Sequence, residues 1–150
     1  MTALVDRIFG AGVNSEDRLQ LILALTEGRP AIEFMELFAA GWCSCDDNWR
    51  LMPEIRHRLQ AAKEIDFRQF LIQEDRQWFD GLPDRLKVYR GCERGREHGL
   101  SWTVDPDVAQ SFARGHRGVT NAELRVVARE IDKRDVLFAT NERLEFELLI

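Results

Sequence analysis

"PDRLKVYRG", residues 83–91, is where the chain changes period. Before it, apolar residues recur at three- and four-residue steps. After Pro83 they alternate, with Leu86 and Val88 set between Arg85, Lys87 and Tyr89, and the run ends at Gly91. Spacing of 3.6 marks a helix with one buried stripe, and spacing of two marks a half-buried strand. Upstream, Asn14 or Ser15 is placed to cap a segment through Thr26 that carries Leu19, Ile22, Leu23 and Leu25 and ends at Gly28. Pro30 suits the start of a second helix with Ile32, Met35, Phe38 and Ala39 before Gly41. Pro53 opens a third with Ile55, Leu59 and Ala62, and Phe67, Phe70, Leu71, Glu74 and Trp78 continue the helical spacing to Gly81 and Pro83. Such stripes are far more often core than ligand box, so no chemistry is assigned to them.

Downstream the pattern is mostly extended. "GLSWTVD" is a short β-like run, and "AELRVVAREI", "DVLFAT" and "LEFELLI" read as strands. One helix interrupts them: in "DPDVAQSFARG", Asp105 is the N-cap, Pro106 the first helical residue, and Val108, Ala109 and Phe112 share a face. Helices followed by strands, without βαβ alternation, indicate an α+β fold. The 150 residues are most simply one domain, with a mainly helical layer over 1–84 and a β-rich part over 85–150.

Charge is unevenly spread along a chain of net charge −5. Residues 1–84 carry a net −6 and residues 85–150 a net +1, with Arg85, Lys87, Arg90, Arg94, Arg96, Arg114 and Arg117 clustered over 85–117. An acidic protein with one basic patch is a poor general binder of nucleic acid but suits a small anionic ligand. No apolar run approaches the roughly 20 residues of a membrane span, so no membrane partner is expected. Cys43, Cys45 and Cys92 make no disulfide framework, and no second Cys/His pair completes a metal site around Cys43 and Cys45. Thiols in a reducing, cytoplasmic compartment are the expectation, with no metal. His98 and His116 stand alone in polar loops and read as bystanders.

The residues that look out of place in a β core lie on three separate segments. Arg90 ends a strand, before Gly91. Ser101 and Thr103 flank Trp102, so their hydroxyls share the face opposite the indole. In "RLEFELLI", residues 143–150, strand alternation puts Leu144, Phe146 and Leu148 on one face and Glu145, Glu147 and Leu149 on the other. The two carboxylates then point the same way, about 7 Å apart. Strands disfavour acids, and the competing reading of that pair is an edge strand with its charges toward solvent.

The order "VYRG", "GLSWTVDPDVAQSFA", "EFE" resembles the arginine–serine–glutamate class of mono-ADP-ribosyltransferases, and most of all its small bacterial and phage members, toxin-like effectors among them. The resemblance covers about residues 86–150, and the helical half matches only in general character. It implies a split antiparallel β-sandwich of two small sheets forming a cleft for NAD, used as substrate, and no metal. Arg90 corresponds to the arginine that holds the NAD phosphates and ribose, with Gly91 beside it. Ser101 corresponds to the serine that supports the cleft and hydrogen-bonds the catalytic glutamate. Trp102 stands where the family often has threonine, Thr103 takes the last motif position, and Phe112 is aligned with the nicotinamide pocket. Glu147 corresponds to the catalytic glutamate. Glu145, two residues before it, goes in the family with arginine acceptors.

Physical chemistry fits those roles. Breaking the bond between nicotinamide and ribose builds positive charge on C1′, as in glycoside hydrolysis. A carboxylate beside the ribose binds that charge better as it grows, and a second carboxylate can deprotonate an acceptor. The expected function is therefore transfer of ADP-ribose from NAD to a protein side chain. An NAD glycohydrolase on the same fold, or a catalytically silent module that blocks a host protein, are the alternatives. No G-x-G-x-x-G fingerprint supports a Rossmann dehydrogenase. "GCERGREHG" reads as a basic loop beside the site.

Overall fold

The computed structural model describes residues 2–10, 12–46, 48–114 and 123–150, so His116, Arg117 and the start of the "AELRVVAREI" run lie outside the described residues. Among these are six α-helices and one five-stranded antiparallel sheet, an α+β fold. The chain divides into two compact units, Met1–Leu71 and Ile72–Ile150. No helix among the described residues is long and apolar enough to cross a membrane.

The first unit holds α1 (Thr2–Phe9), α2 (Arg18–Leu25), α3 (Ala31–Gly41) and α4 (Met52–Ala61). Its punctuation follows the sequence. Asn14 Oδ1 accepts from the amides of Glu16 and Asp17, capping the turn into α2, and Gly28 takes a φ of 67° beyond the end of that helix. Pro30 precedes α3, and Pro53 sits in the first turn of α4. Leu19, Ile22, Phe34, Met35, Phe38, Ile55 and Leu59 are buried. Phe34 and Phe38 on α3 and Trp42 just past its end follow one another with ring centroids 5.3 and 5.1 Å apart.

Helix α1, which ends just before Gly10, is additional to the expected helices, and one expectation for the helical half is corrected. The stretch from Phe67 to Trp78 is not one helix but a 3-10 turn, Phe67–Phe70, and then α5, Gln73–Asp80. Asp66 caps the 3-10 turn by accepting from Arg68 N, and Leu71 and Ile72 are extended, which ends one segment before the next begins. The helix α5 therefore belongs to the second unit, ahead of the change in period at residue 84. Lys133 secures it there, donating from Nζ to Asp80 O at 2.9 Å and Leu82 O at 2.8 Å.

The second unit is built on β1 (Arg85–Glu93), β2 (Ser101–Thr103), β3 (Leu124–Asp132), β4 (Phe138–Thr140) and β5 (Glu147–Leu149), with α6 (Pro106–Ala113) between β2 and β3. Strand order is β3-β1-β2-β5-β4. The two separate sheets expected from the resemblance are here one continuous sheet, pinched at a single point. β1 pairs with β3 along its whole length, from Arg85↔Asp132 to Glu93↔Leu124, but meets β2 only at Tyr89↔Thr103. β2 and β4 each pair with β5 over three residues. Leu86 and Val88 are buried as the alternation requires. Asp105 caps α6, accepting from the amides of Asp107 and Val108 at 2.8 and 3.3 Å.

The closing strand is also shorter than its alternation suggests. Leu144 and Phe146 have φ of 55° and 50°, so residues 141–146 form a turn and only Glu147–Leu149 is strand. Leu144 is 72% exposed, whereas Leu148 and Leu149 are both fully buried. Left-handed backbone at two bulky residues is costly, and it persists only where the surroundings enforce it.

Candidate active-site cleft

The pinch between β1 and β2 opens a cleft of ≈ 520 Å³ including its mouth. It is lined by Arg90, Gly91, Ser101, Trp102, Thr103, Phe112, Glu145 and Glu147, together with Tyr89 and Ala109. Every site residue singled out from sequence thus reaches one concave surface within the second unit. Tyr89 and Ala109 were missed: Tyr89 is the residue before the arginine, and Ala109 lies one helical turn before Phe112, so both were adjacent to signals already read.

Glu147 enters the cleft from the first residue of β5. In register it faces Thr103 on one side and Thr140 on the other. The Ser101 hydroxyl donates to Glu147 Oε1, reaching diagonally across the ladder from its own partner, Leu149. Thr103 Oγ1 donates to the carbonyl of Glu145 at 2.7 Å and accepts from Asp105 N at 3.1 Å. The two hydroxyls beside Trp102 therefore both engage the C-terminal segment, one through a carboxylate and one through backbone.

Glu145 also lines the cleft, but not because it shares a strand face with Glu147. The left-handed Phe146 between them breaks the alternation. Both carboxylates are half-buried at the cleft.

Arg90 lies across the loop that joins β1 to β2. Its Nε donates to Arg96 O at 3.0 Å and its Nη1 to Ser101 O at 2.6 Å. Its guanidinium also lies against Gly99, where an added Cβ would fall 2.0 Å from Nη2. The arginine thus holds together the wall it lines, and a rigid planar fork is suited to both tasks. Gly91 serves packing: a Cβ there would stand 1.8 Å from the carbonyl oxygen of Ala109, so its absence lets α6 lie directly on β1. That close approach sets Phe112 at the cleft. Trp102 is buried, donating from Nε1 to Gly99 O at 2.9 Å, with the Arg129 guanidinium 4.3 Å from its ring centroid.

The basic run beyond Arg90 is less cationic than its sequence suggests. β1 continues to Glu93, and Arg94, Arg96 and Arg125 meet Glu123, Glu93 and Glu97 at 3.5, 3.8 and 3.4 Å. Backbone amides, with help from Arg125 and His98, hold Glu97 below the usual carboxylate range. Exposed pairs of this kind add little stability, but they balance the local field.

Among the described residues, no group of three or more His, Cys, Asp or Glu is arranged to hold a metal ion. All three cysteines are thiols. Cys45 donates to Gly41 O at 3.2 Å, and burial pushes the Cys92 thiol above its ordinary range, against a smaller opposing pull from Arg90. A raised pKa leaves less thiolate at any pH below it, and the thiolate is the nucleophile. Cys92 is expected to alkylate far more slowly than the half-buried Cys43 when the native protein meets iodoacetamide at pH 8, read by mass spectrometry. Equal rates would contradict its burial.

Neither protein-family models, curated proteins nor solved structures yield a match to this chain.

Proposed function

We propose that the chain is an NAD-dependent mono-ADP-ribosyltransferase that modifies a protein side chain, with arginine as the favoured acceptor. The observation that carries this reading is the Ser101–Glu147 hydrogen bond in a cleft that also contains Arg90 and Glu145. A hydroxyl that fixes one carboxylate oxygen leaves the carboxylate oriented before the reaction, which is the condition for electrostatic stabilisation of a developing cation.

In this reading the guanidinium of Arg90 attracts the pyrophosphate of NAD, and the aromatic side chains of Tyr89 and Phe112 offer flat apolar surface to the nicotinamide. The C1′–nitrogen bond breaks with its electron pair going to nitrogen, so nicotinamide leaves neutral. Glu147 stabilises the ribosyl cation. An acceptor nitrogen then forms the new bond to C1′, and Glu145 takes the proton it gives up.

The two carboxylates act on different partners, so they are separable. With labelled NAD and a cell lysate, wild type should label protein bands and release nicotinamide. Glu145→Gln should lose labelling by about 10²-fold, the scale of general-base catalysis, while release to water stays close to wild type. Equal loss of both activities would remove the acceptor role from Glu145. Release without labelled protein in wild type would point instead to hydrolysis of NAD.

A further inference from the structure

We propose that Asp75, on α5 and outside the cleft lining, is the positioning residue that holds Glu147 and the turn before it; the inference rests on reading Glu147 as the reacting carboxylate. Asp75 is 6% exposed. Its Oδ2 accepts from Thr140 Oγ1 at 2.9 Å and from Asn141 N at 3.0 Å. Burying a carboxylate costs several kcal/mol unless strong donors meet it, and an apolar residue would pack there without that cost. The expense is intelligible if the two donors must be held in place.

Both donors lead to Glu147. Thr140 is its direct cross-strand partner. Asn141 starts the turn, accepting from Leu144 N through its carbonyl at 2.9 Å and from Phe146 N through its side-chain Oδ1 at 3.2 Å. Thr140 Oγ1, while donating to Asp75, accepts from Glu142 N at 3.2 Å. The Phe146 ring packs against Trp78, on the same helix as Asp75, with centroids 5.9 Å apart. α5 thus grips the turn twice, once by a carboxylate and once by an aromatic face. These contacts enforce the left-handed conformations of Leu144 and Phe146, which turn the chain so that Glu145 and Glu147 meet the same cleft.

A positioning role predicts loss of turnover with little loss of NAD binding. Asp75→Ala is expected to lower kcat for nicotinamide release by about 10²-fold, the cost of misplacing a reacting group by an ångström, with KM for NAD nearly unchanged. Asp75→Asn keeps an acceptor oxygen and should recover most of that loss. Amide hydrogen exchange at Phe146, read by NMR, should quicken by at least about tenfold in Asp75→Ala and stay slow in Asp75→Asn, reporting local opening. If Asp75→Ala does not fold, Asn141→Ala tests the next link and must show the same drop in kcat and the same faster exchange. Unchanged exchange at Phe146, or a fall in activity carried by KM alone, overturns the proposal. A wild type that never releases nicotinamide but loses Phe146 protection on Asp75→Ala would sink the catalytic reading and leave the brace standing.

Discussion

Glu147→Gln should lower nicotinamide release and protein labelling together, by about 10²-fold or more, as for loss of other preorganised electrostatic groups. The amide keeps the shape of the carboxylate and can still accept from Ser101 through its oxygen, so the bond across β2 and β5 survives. What is lost is the negative charge, whose attraction grows as C1′ becomes cationic. That attraction matters more in the transition state than in the bound substrate, so the loss should fall on kcat and leave KM for NAD near its wild-type value. The measurement is parallel assay of released nicotinamide and labelled protein for both forms, with thermal unfolding to show that the fold is intact. Undiminished release and labelling by Glu147→Gln would overturn the mechanism. Loss of labelling alone would exchange the roles of Glu145 and Glu147.

The parts of this site legible in the sequence were those set by local chemistry. Pro106 behind Asp105 announced α6, because a carboxylate cap and a residue without an N–H fit the first turn of a helix and little else. Leu86 and Val88 announced β1 by alternation. Ser101 and Thr103 share a face by strand geometry alone, and both hydroxyls do turn to the C-terminal segment.

What stayed hidden was set by residues distant in sequence. Leu144 and Phe146 fit a strand pattern, because apolar residues two apart look the same whether their backbone is extended or left-handed. The turn they form depends on Asp75, some seventy positions away. The break after Phe70 was concealed in the same way, since Phe67, Leu71 and Trp78 keep a helical spacing across an extended Leu71–Ile72. The pinch in the sheet follows from pairing lengths that no single strand encodes. β1 runs nine residues beside β3 and meets β2 at one pair.

Gly91→Ala should be the most damaging glycine-to-alanine change among the described residues of the second unit, costing about 3 kcal/mol or more, at the upper end of overpacking. Its new Cβ would lie 1.8 Å from the Ala109 carbonyl oxygen, 2.5 Å from Ala113 N and 2.9 Å from the Ala109 carbonyl carbon. All three are backbone atoms of α6, so no side-chain rotation relieves the clash. The helix must move off β1 as a body, and the buried faces of Ala109 and Ala113 move with it. Gly95→Ala is the fitting control. Gly95 has a φ of 87° but nothing within 4 Å of its added Cβ, so its cost is conformational only, about 1–2 kcal/mol. Urea unfolding of the two variants against wild type distinguishes a steric glycine from a conformational one. The displacement should also reach the cleft, because Phe112 rides on α6 and lines it. Where Gly91→Ala still folds, KM for NAD should therefore rise, whereas Gly95→Ala should leave it unchanged. A Gly91→Ala variant as stable as Gly95→Ala would mean that α6 does not press on β1, and the placement of Phe112 at the cleft would fall with it.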